Sequence, residues 1–416
     1  MSTIRSWGLT DVGRRRDHNE DSFFVDEGLH LYVVADGMGG HAAGEVASQM
    51  AQEHVHKNLL AGRDVIDKMA EADTPENREA VLKLLESGVQ EACKSIFDLA
   101  EREPERKGMG TTLVGMLLIG EHGFYAHVGD SRLYLVRAGQ EHQLTTDHSL
   151  VNEQIRQGKL DPADAEKVPY SNVITRAVGV YESVEVDTER FEVASGDRFL
   201  LCSDGLHGYL RPAEASRIIL EGTPDAAQNF IDLANERGGK DNVTAIVVEI
   251  GEKPPELPTE TTLKIETLRK APLFRHLEYP ELVKVLNITV LDSYNEGEML
   301  MEEGQEGDEF YVLLAGDVEV SKEGVTLTHL KDGDHVGELA LIEKVPRTAT
   351  VKAVKPTKVL AIHRADFYEM LRKEHVIAVK LLWIFLKELS SRLRQTNEEL
   401  SILLSGDIQE IDPVEE

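Results

Sequence analysis

Residues 31–45 read LYVVADGMGGHAAGE, an apolar run that ends in Asp36 and is followed by a cluster of glycines. Two interpretations are open for this stretch. Gly37, Gly39 and Ala42 have the G-x-G-x-x-A spacing of a dinucleotide-binding turn, which would place a pyrophosphate at the start of the next helix. Alternatively, Asp36 at the end of a buried strand holds a ligand, and the glycines only make room for it.

The sequence that follows argues against the dinucleotide interpretation. That motif requires a second parallel strand that ends in an acidic residue about 20 residues further on. Helix-like sequence instead continues past residue 100, with predicted helices at residues 42–60 and 78–102. We therefore expect the aspartate to be the functional residue of this stretch.

The bulk composition indicates a two-domain protein that does not bind nucleic acid. A chain of 416 residues is longer than one ordinary hydrophobic core supports. Its 75 Asp and Glu residues outnumber its 45 Lys and Arg residues, and the net charge of −30 would repel a phosphate backbone.

The two cysteines and the N-terminal sequence indicate a cytoplasmic protein. Cys93 and Cys202 lie in unrelated contexts, which predicts neither a disulfide framework nor a zinc site and fits a reducing compartment. The opening MSTIRSWGLTDVGRRRD lacks the apolar core of a signal peptide, and no run is long enough to cross a membrane. We expect no membrane partner.

Residues 251–262, GEKPPELPTETT, are rich in proline and glutamate and predict a linker. Before it, at residues 1–250, β-rich runs such as HLYVVAD, RFLLCSD and NVTAIVVEI alternate with helical stretches. Several strands follow one another with turn-length gaps, which predicts an α+β fold with mostly antiparallel sheets. After the linker, we predict a helix at residues 263–286 and then short strands with glycine turns, typical of a small β-barrel or jelly roll.

The chain ends in a long predicted helix and an acidic tail at residues 405–416 that we expect to be disordered. Apolar residues recur in this helix about every seven residues, which is the heptad period of a coiled coil. They are Val379, Leu386, Leu393 and Leu400 at position a, and Leu382, Leu389 and Leu403 with Thr396 at position d. This stripe predicts either a homodimer or packing on the chain's own barrel or first domain, and both alternatives stay open.

Acidic residues lie at the ends of four apolar runs in the first domain. Asp36 and Asp204 each precede a glycine, Asp241 precedes the run VTAIVV, and Asp21 stands beside Glu20. A single such aspartate is usually a turn residue or a helix cap, but four at strand edges favour a shared site. Oxygen ligands without clustered His or Cys suit Mg²⁺ or Mn²⁺, and two such ions about 3.5–4 Å apart can activate water against phosphorus. A phosphate would also need a cation of fork geometry, for which Arg16 is the candidate.

These runs form an ordered set of motifs that resembles the metal-dependent, 2C-type protein serine/threonine phosphatases of the PPM family, with the bacterial branch most similar. The motifs, between residues 5 and 250, are RRRDHNEDS, VVADGMGGH, GMGTTLV, AHVGDSRLYL, LTTDHSL, SDGLHGYL and GGKDNVTAIVV. The resemblance implies a β-sandwich flanked by helices, with a dinuclear metal site between the sheets. It also implies hydrolysis of phosphoserine and phosphothreonine by a metal-bridging hydroxide.

The resemblance assigns roles to individual residues. Asp36 would bridge both metals and Gly37 would contribute its carbonyl. Asp204 and Asp241 would complete one metal site, while Glu20 and Asp21 would hold waters on the other. Asp130 matches the ligand of a third, weaker metal, and Arg16 matches the phosphate-binding arginine.

Two features of the resemblance leave questions open. Some relatives carry a histidine directly after Asp-Gly that is thought to protonate the leaving alkoxide, but this chain has Met38 there. Nearby His41 or a metal-bound water are the alternatives for this general acid. Residues 150–174, with Gly158, Pro162 and Pro169, fall where these enzymes have a variable flap, and fit a mobile or an ordinary ordered loop equally.

A second constellation lies in GDHVGELALIEKVPRTATVKAV, residues 333–354. A short helix beginning at Gly337, Glu338, Leu339 and Ala340 would present free N–H groups to a phosphate. Arg347 would add bidentate charge, and Glu338 could accept hydrogen bonds from a ribose. The alternative is a surface salt bridge between the two.

Glu338 and Arg347 in this setting resemble the phosphate-binding cassette of cyclic-nucleotide-binding domains. The surrounding APLFRHLEYPELVKVL and EGQEGDEFYVLLAGDVEV support the likeness, which covers about residues 265–390 of a domain that we place at 263–404. Thr348 is compatible with cGMP or cAMP. No helix-turn-helix follows the last helix, which argues against a transcription factor.

Together these features predict a phosphatase regulated by cAMP or cGMP, acting on a phosphoprotein modified by a bacterial protein kinase, with Mn²⁺ or Mg²⁺ as cofactor. Two alternatives remain. One is a catalytically impaired scaffold that senses the nucleotide, and the other is an active phosphatase whose barrel only dimerises.

Overall fold

The computed structural model of this chain describes residues 3–39, 43–161, 164–165, 168–170, 172–251 and 259–406. It divides into two compact units, Met1–Thr262 and Leu263–Glu416. Among the described residues, no helix combines the length and the apolarity needed to cross a membrane.

The first unit contains two antiparallel sheets. One sheet has the strand order β1-β11-β10-β7-β8 and the other β2-β3-β5-β6-β9, with β4 paired to β3. The strands are β1 (Ile4–Asp11), β2 (Asp21–Asp26), β3 (Leu31–Met38), β4 (Gly110–Thr111), β5 (Leu113–Ile119), β6 (His122–Val128), β7 (Arg132–Arg137), β8 (Gln140–Gln143), β9 (Asp187–Glu192), β10 (Arg198–Cys202) and β11 (Val243–Ile250). This arrangement confirms the predicted α+β class.

Helices cover the outer faces of both sheets. They are α1 (Ala43–Ala61), α2 (Arg63–Glu71), α3 (Pro75–Arg102), α4 (Leu150–Arg156), α5 (Asp204–His207), α6 (Glu214–Glu221) and α7 (Thr223–Glu236). The first three share one core with the β3 sheet, and α6 and α7 share a second core with the β11 sheet. Between the sheets, the Phe191 and Phe199 rings lie 5.5 Å apart. The result is a β-sandwich with helices on both sides.

Helix α3 shows how local sequence sets these elements. Thr74 caps its N-terminus by accepting a hydrogen bond from the Asn77 N–H, and Pro75 occupies the first turn, where its missing N–H costs nothing. Its inward stripe, with Val81, Leu85 and others, is fully buried. Helix α7 follows α6 directly and was not predicted from the sequence.

The second unit is built on two four-stranded antiparallel sheets, β12-β19-β14-β17 and β13-β18-β15-β16. The strands are β12 (Thr289–Tyr294), β13 (Met299–Met301), β14 (Glu309–Ala315), β15 (Asp317–Lys322), β16 (Val325–Lys331), β17 (His335–Val336), β18 (Thr350–Ala353) and β19 (Thr357–His363). The helices are α8 (Glu260–Lys270), α9 (Tyr279–Asn287), α10 (Leu339–Ile342), α11 (Arg364–Lys373) and α12 (His375–Gly406). This is the predicted jelly-roll layout.

The prediction of one helix over residues 263–286 is wrong, because two helices occupy this region. Pro272 follows the end of α8, where its ring would clash with a continuing helix. Glu278 and Glu281 then form a capping box that starts α9. Helix α8 begins inside the predicted linker, of which residues 252–258 lie outside the described part, as do residues 407–416 of the acidic tail.

Helix α12 has one buried face and one exposed apolar face. Ile377, Leu381 and Ile384 are buried in the second unit. The heptad residues are exposed, from 51% for Leu389 to 67% for Val379, with Leu382, Leu386 and Leu393 between these values. The side chains of Leu400 and Leu403 lie outside the described part.

Candidate active site and nucleotide cassette

Asp21 and Asp36 lie side by side because β2 and β3 pair with these two residues directly opposite each other. The Asp21 side chain is buried, and its Oδ2 accepts hydrogen bonds from Ser203 Oγ at 2.7 Å and Thr244 Oγ1 at 2.6 Å. Its Oδ1 is buried and has no hydrogen-bond partner among the described residues. One carboxylate oxygen is therefore fixed while the other is available to a ligand.

Glycines bring Glu20 against the start of α1. The Gly37 N–H donates to the Glu20 carbonyl at 3.2 Å. A Cβ on Gly37 would lie 2.2 Å from the Gly44 carbonyl oxygen, and one on Gly44 would lie 2.6 Å from Glu20 Oε1. That Oε1 is buried and without a hydrogen-bond partner in the described structure. Gly37 and Gly44 thus leave room for the main chain and for the Glu20 carboxylate at the same point.

Asp204 and Asp241 come from the neighbouring strands of the other sheet. Asp204 follows β10 as the first residue of α5, and Asp241 lies two residues before β11. A Cβ on Gly205 would lie 1.9 Å from the Asn242 carbonyl oxygen, so only glycine lets these two strand ends approach. Both carboxylates lie close enough to Asp21 and Asp36 to raise the pKa of those two carboxyl groups, which burial already raises.

Asp130 and Arg16 complete the cluster. Asp130 lies between β6 and β7, where the His207 Nε2 donates to its carbonyl at 2.9 Å. The Arg16 Nη2 donates to Asp241 Oδ2 at 2.7 Å, and this hydrogen bond raises the pKa of the arginine further. All eight residues that the resemblance assigned to catalysis or metal binding therefore lie in one region between the ends of the two sheets.

Mutual repulsion and burial disturb the acids of this cluster strongly. Burial raises the pKa of Asp21 to about 7, with a further contribution from Asp204 and Asp241. Burial and the neighbouring Asp21 and Asp204 raise the pKa of Asp36 well above its ordinary value. Burial, with Asp204 adding to it, raises the pKa of Asp130 to about 7. Perturbed carboxyl groups of this kind are typical of functional sites.

These residues fit divalent cations. The donor set consists only of oxygen atoms, which is what Mg²⁺ and Mn²⁺ prefer. Two buried carboxylate oxygens, Glu20 Oε1 and Asp21 Oδ1, have no partner among the described residues. A cation placed among these carboxylates would offset both their burial and their mutual repulsion, the two causes that raise their pKa values.

Asn242 is a residue that the sequence reasoning did not assign. Its buried side-chain amide donates to the Val12 and His18 carbonyls at 3.0 and 2.9 Å, and its side-chain oxygen accepts from the Glu20 N–H at 2.8 Å. These bonds fix both ends of the loop that carries Arg16. The only sequence signal was its place in the quoted GGKDNVTAIVV motif.

The two alternatives for the general acid, His41 and a metal-bound water, both stay open. Met38 is the last residue of β3 and pairs with Gly110. His41 lies outside the described residues, as does Pro162 of the 150–174 segment. Ser149, directly before that segment, pairs with Ile174 at its end.

The phosphate cassette of the second unit is built around a buried arginine. Arg347 donates through Nη1 to the Glu309 carbonyl and through Nη2 to Glu309 Oε2, each at 2.9 Å. Gly337 has φ +87°, and a Cβ there would lie 2.9 Å from Arg347 Nη1. The arginine side chain is only 5% exposed, so the alternative of a surface salt bridge with Glu338 does not describe it.

The other predicted cassette residues lie in and after the short helix α10. Glu338 directly precedes α10, which begins at Leu339 and includes buried Ala340, and Thr348 is exposed. A cavity of about 80 Å³ lies between this short helix and α12. Leu339 and Ile342 line it on one side, and Ile384 and Phe385 on the other.

Fold and site together define a metal-dependent phosphatase domain joined to a jelly roll with a phosphate cassette. Residues 13–237 match the family model "Protein phosphatase 2C", and residues 291–374 match "Cyclic nucleotide-binding domain". The chain belongs to the protein phosphatase 2C family, and it also contains a cyclic nucleotide-binding domain.

Known relatives align with the first unit. The serine/threonine phosphatase stp of Listeria innocua is 41% identical over 245 residues, which are 58% of this chain and 93% of the relative. The crystal structure of the Mycobacterium tuberculosis phosphatase PstP is 35% identical, with a TM-score of 0.51 over 60% of this chain and 99% of that one. A structure of the PstP catalytic domain with two manganese ions is 33% identical, with a TM-score of 0.50 over 60% and 99%. The chain is thus an enzyme, a metal-dependent protein phosphatase.

Proposed function

We propose that this enzyme hydrolyses phosphoserine and phosphothreonine in proteins and that a cyclic nucleotide bound to the second unit regulates it. The observation that carries the catalytic part is the cluster of carboxylates beside Arg16, in which Glu20 Oε1 and Asp21 Oδ1 are buried and have no hydrogen-bond partner among the described residues. The named activities of the Listeria and Mycobacterium relatives support the choice of substrate.

In this proposal, the chain holds two or three Mn²⁺ or Mg²⁺ ions through the acidic cluster. The ligands would be Glu20, Asp21, Asp36, Gly37 through its carbonyl, Asp130, Asp204 and Asp241. When bound, such ions supply an activated water and neutralise charge that develops on the phosphoryl oxygens. Arg16 would leave Asp241 and bind the phosphoryl oxygens in a bidentate manner. Asp36, set between the two sheets, would fix the spacing of the ions.

Turnover of a phosphopeptide with Mn²⁺ tests the catalytic part. We expect Asp36→Ala or Asp204→Ala to abolish hydrolysis, because each change removes a carboxylate that faces several others. Retained activity in either variant would contradict the assignment. No turnover by the unaltered chain with Mn²⁺ would instead favour the catalytically impaired scaffold.

The nucleotide part rests on Arg347, which is buried, charged and paired with a carboxylate that a phosphate can replace. The cyclic phosphate of cAMP or cGMP would bind Arg347 and the N–H groups of residues 337–340. Glu338 would accept a ribose hydroxyl, and Thr348 would lie near the base. The cavity between α10 and α12 gives the long helix room to repack when the cassette closes.

Calorimetry with cAMP and cGMP tests binding directly. We expect Arg347→Ala to abolish binding and Glu309→Gln to tighten it, because glutamine keeps the shape but no longer competes for the arginine as an anion. No binding by the unaltered chain at millimolar nucleotide would leave the barrel as a dimerisation module.

We further propose a homodimer through the exposed face of α12, cytoplasmic location, and a phosphoprotein substrate made by a bacterial protein kinase. The heptad spacing of the exposed leucines supports the homodimer. Nucleotide and dimerisation would then act on the same helix.

A further inference from the structure

His148 lies at the junction between the Asp130 turn and the 150–174 segment. Its side chain is 6% exposed. Its main chain donates to the Gly129 carbonyl at 2.8 Å and accepts from the Thr175 N–H at 2.8 Å. Both ends of the segment therefore meet at this one residue.

The side chain of His148 forms a second bond to the same turn. The Gly129 N–H donates to His148 Nδ1 at 3.1 Å. Nδ1 must then be unprotonated, so the proton of the neutral ring lies on Nε2, 3.1 Å from Asp187 Oδ2. Arg176 Nη1 lies 3.0 Å from the same Nε2, but a guanidinium nitrogen only donates, so its hydrogen bond goes to Asp187 and not to a protonated Nε2. Arg176 also donates to Asp187, at 2.7 Å from its other oxygen.

This tautomer decides against a metal ion at the cluster of His127, His148 and Asp187, whose potential ligand atoms lie within 4.8 Å of one another. A metal on Nε2 would require the proton on Nδ1, where the Gly129 N–H already donates. The chain uses this histidine to hold a main-chain turn.

The turn leads directly into the acidic cluster. Gly129 has φ +103°, and a Cβ there would lie 2.6 Å from Thr112 Cγ2. Thr112 Oγ1 lies 2.7 Å from Ser131 Oγ and accepts from the Asp36 N–H at 3.0 Å. A shift of this turn would therefore move Asp130 and disturb the support of Asp36.

We propose that His148 is a positioning residue that, through Nδ1, holds the Gly129–Asp130 turn in the geometry needed for the weakest metal site. The inference rests on the proposed role of Asp130 as a metal ligand. It predicts that Mn²⁺ binding at this site depends on the hydrogen-bond acceptor that faces the Gly129 N–H, and not on the contact with Asp187.

Two amide variants separate these contacts. In His148→Asn, the side-chain oxygen can take the place of Nδ1 and accept from Gly129, but the chain is too short to reach Asp187. In His148→Gln, the amide can reach Asp187 but leaves the Gly129 N–H without an acceptor. We expect His148→Asn to bind Mn²⁺ like the unaltered protein, and His148→Gln to bind its weakest ion about 10-fold less tightly.

Mn²⁺ binding is measured by electron paramagnetic resonance of the free ion, together with thermal unfolding and the Mn²⁺ dependence of phosphopeptide turnover. In an Asp130→Asn background, we expect His148→Gln to cause no further loss of Mn²⁺ binding. Equal losses in both amide variants, or an unchanged weakest site in His148→Gln, would overturn the inference. An unaltered protein that binds Mn²⁺ but lacks turnover would instead overturn the proposed function.

Discussion

At the scale of single residues, Asn242 shows how one neutral side chain supports a charged site. Its three hydrogen bonds use both amide N–H groups and the side-chain oxygen, and they fix the main chain on both sides of Arg16. A buried group with this number of bonds is expensive to remove, because its partners lose their hydrogen bonds as well.

We expect Asn242→Ala to lower kcat/KM for a phosphopeptide by about 10- to 100-fold, since outer-shell partners of metal ligands typically contribute that much. Asn242→Asp should not rescue it, because a carboxylate cannot donate to the Val12 and His18 carbonyls. Asn58→Ala on α1 is a matched control. Activity restored by the aspartate variant would argue against positioning by the amide.

The raised pKa of Asp21 predicts how pH acts on the metal-free protein. A group whose pKa is higher in the folded state stabilises the fold while it is protonated. This contribution is full below the ordinary value of 3.8 and is lost as pH rises to about 7. In EDTA, the free energy of unfolding should therefore fall as the pH rises from 3.8 to about 7, and less so in Asp21→Asn. Urea unfolding measures this, with Asp64→Asn as the control; identical pH profiles for Asp21→Asn and unaltered protein would contradict the prediction.

At the scale of elements, α12 exposes apolar side chains that would be buried, or replaced by polar residues, if nothing packed against this face. Its inner face is already occupied by Ile377, Leu381 and Ile384. The outer face keeps the heptad period, which suits a second copy of the same helix.

We expect Leu386→Glu to convert the dimer into a monomer, because it places a charge in the centre of the apolar stripe. Ser391→Glu adds the same charge to a solvent-facing position of the heptad and should leave the dimer intact. Analytical ultracentrifugation distinguishes them. An unaltered protein that is monomeric at micromolar concentration would contradict the proposed dimer.

At the scale of the whole molecule, the sequence predicted what depends on local pattern. The acids at strand ends, the antiparallel sheets and the jelly roll were visible in short runs of residues. Asn242, His148 and Glu309 were not assigned, because each acts on partners that only the tertiary fold brings near. Glu309 and Arg347 are 38 positions apart, and Asn242 and Glu20 are 222 apart.

The two units should be separable in function. We expect a chain ending at residue 251 to keep Mn²⁺-dependent turnover, because relatives that align with this part alone carry the named activity. It should lose any response to cAMP or cGMP. A nucleotide effect that persists in the shortened chain would place the regulatory site in the first unit.

The pairing of β1 with β11, from Ile4 opposite Ile250 to Asp11 opposite Val243, has a consequence for synthesis on the ribosome. Strand β11 lies between β1 and β10, so the sheet that contains β1 stays incomplete until the last residues of this unit have left the ribosomal exit tunnel. Asp241 leaves the tunnel just before β11. The nascent chain therefore carries an open sheet edge for most of its translation, and it gains a complete acidic cluster only while the second unit is being made.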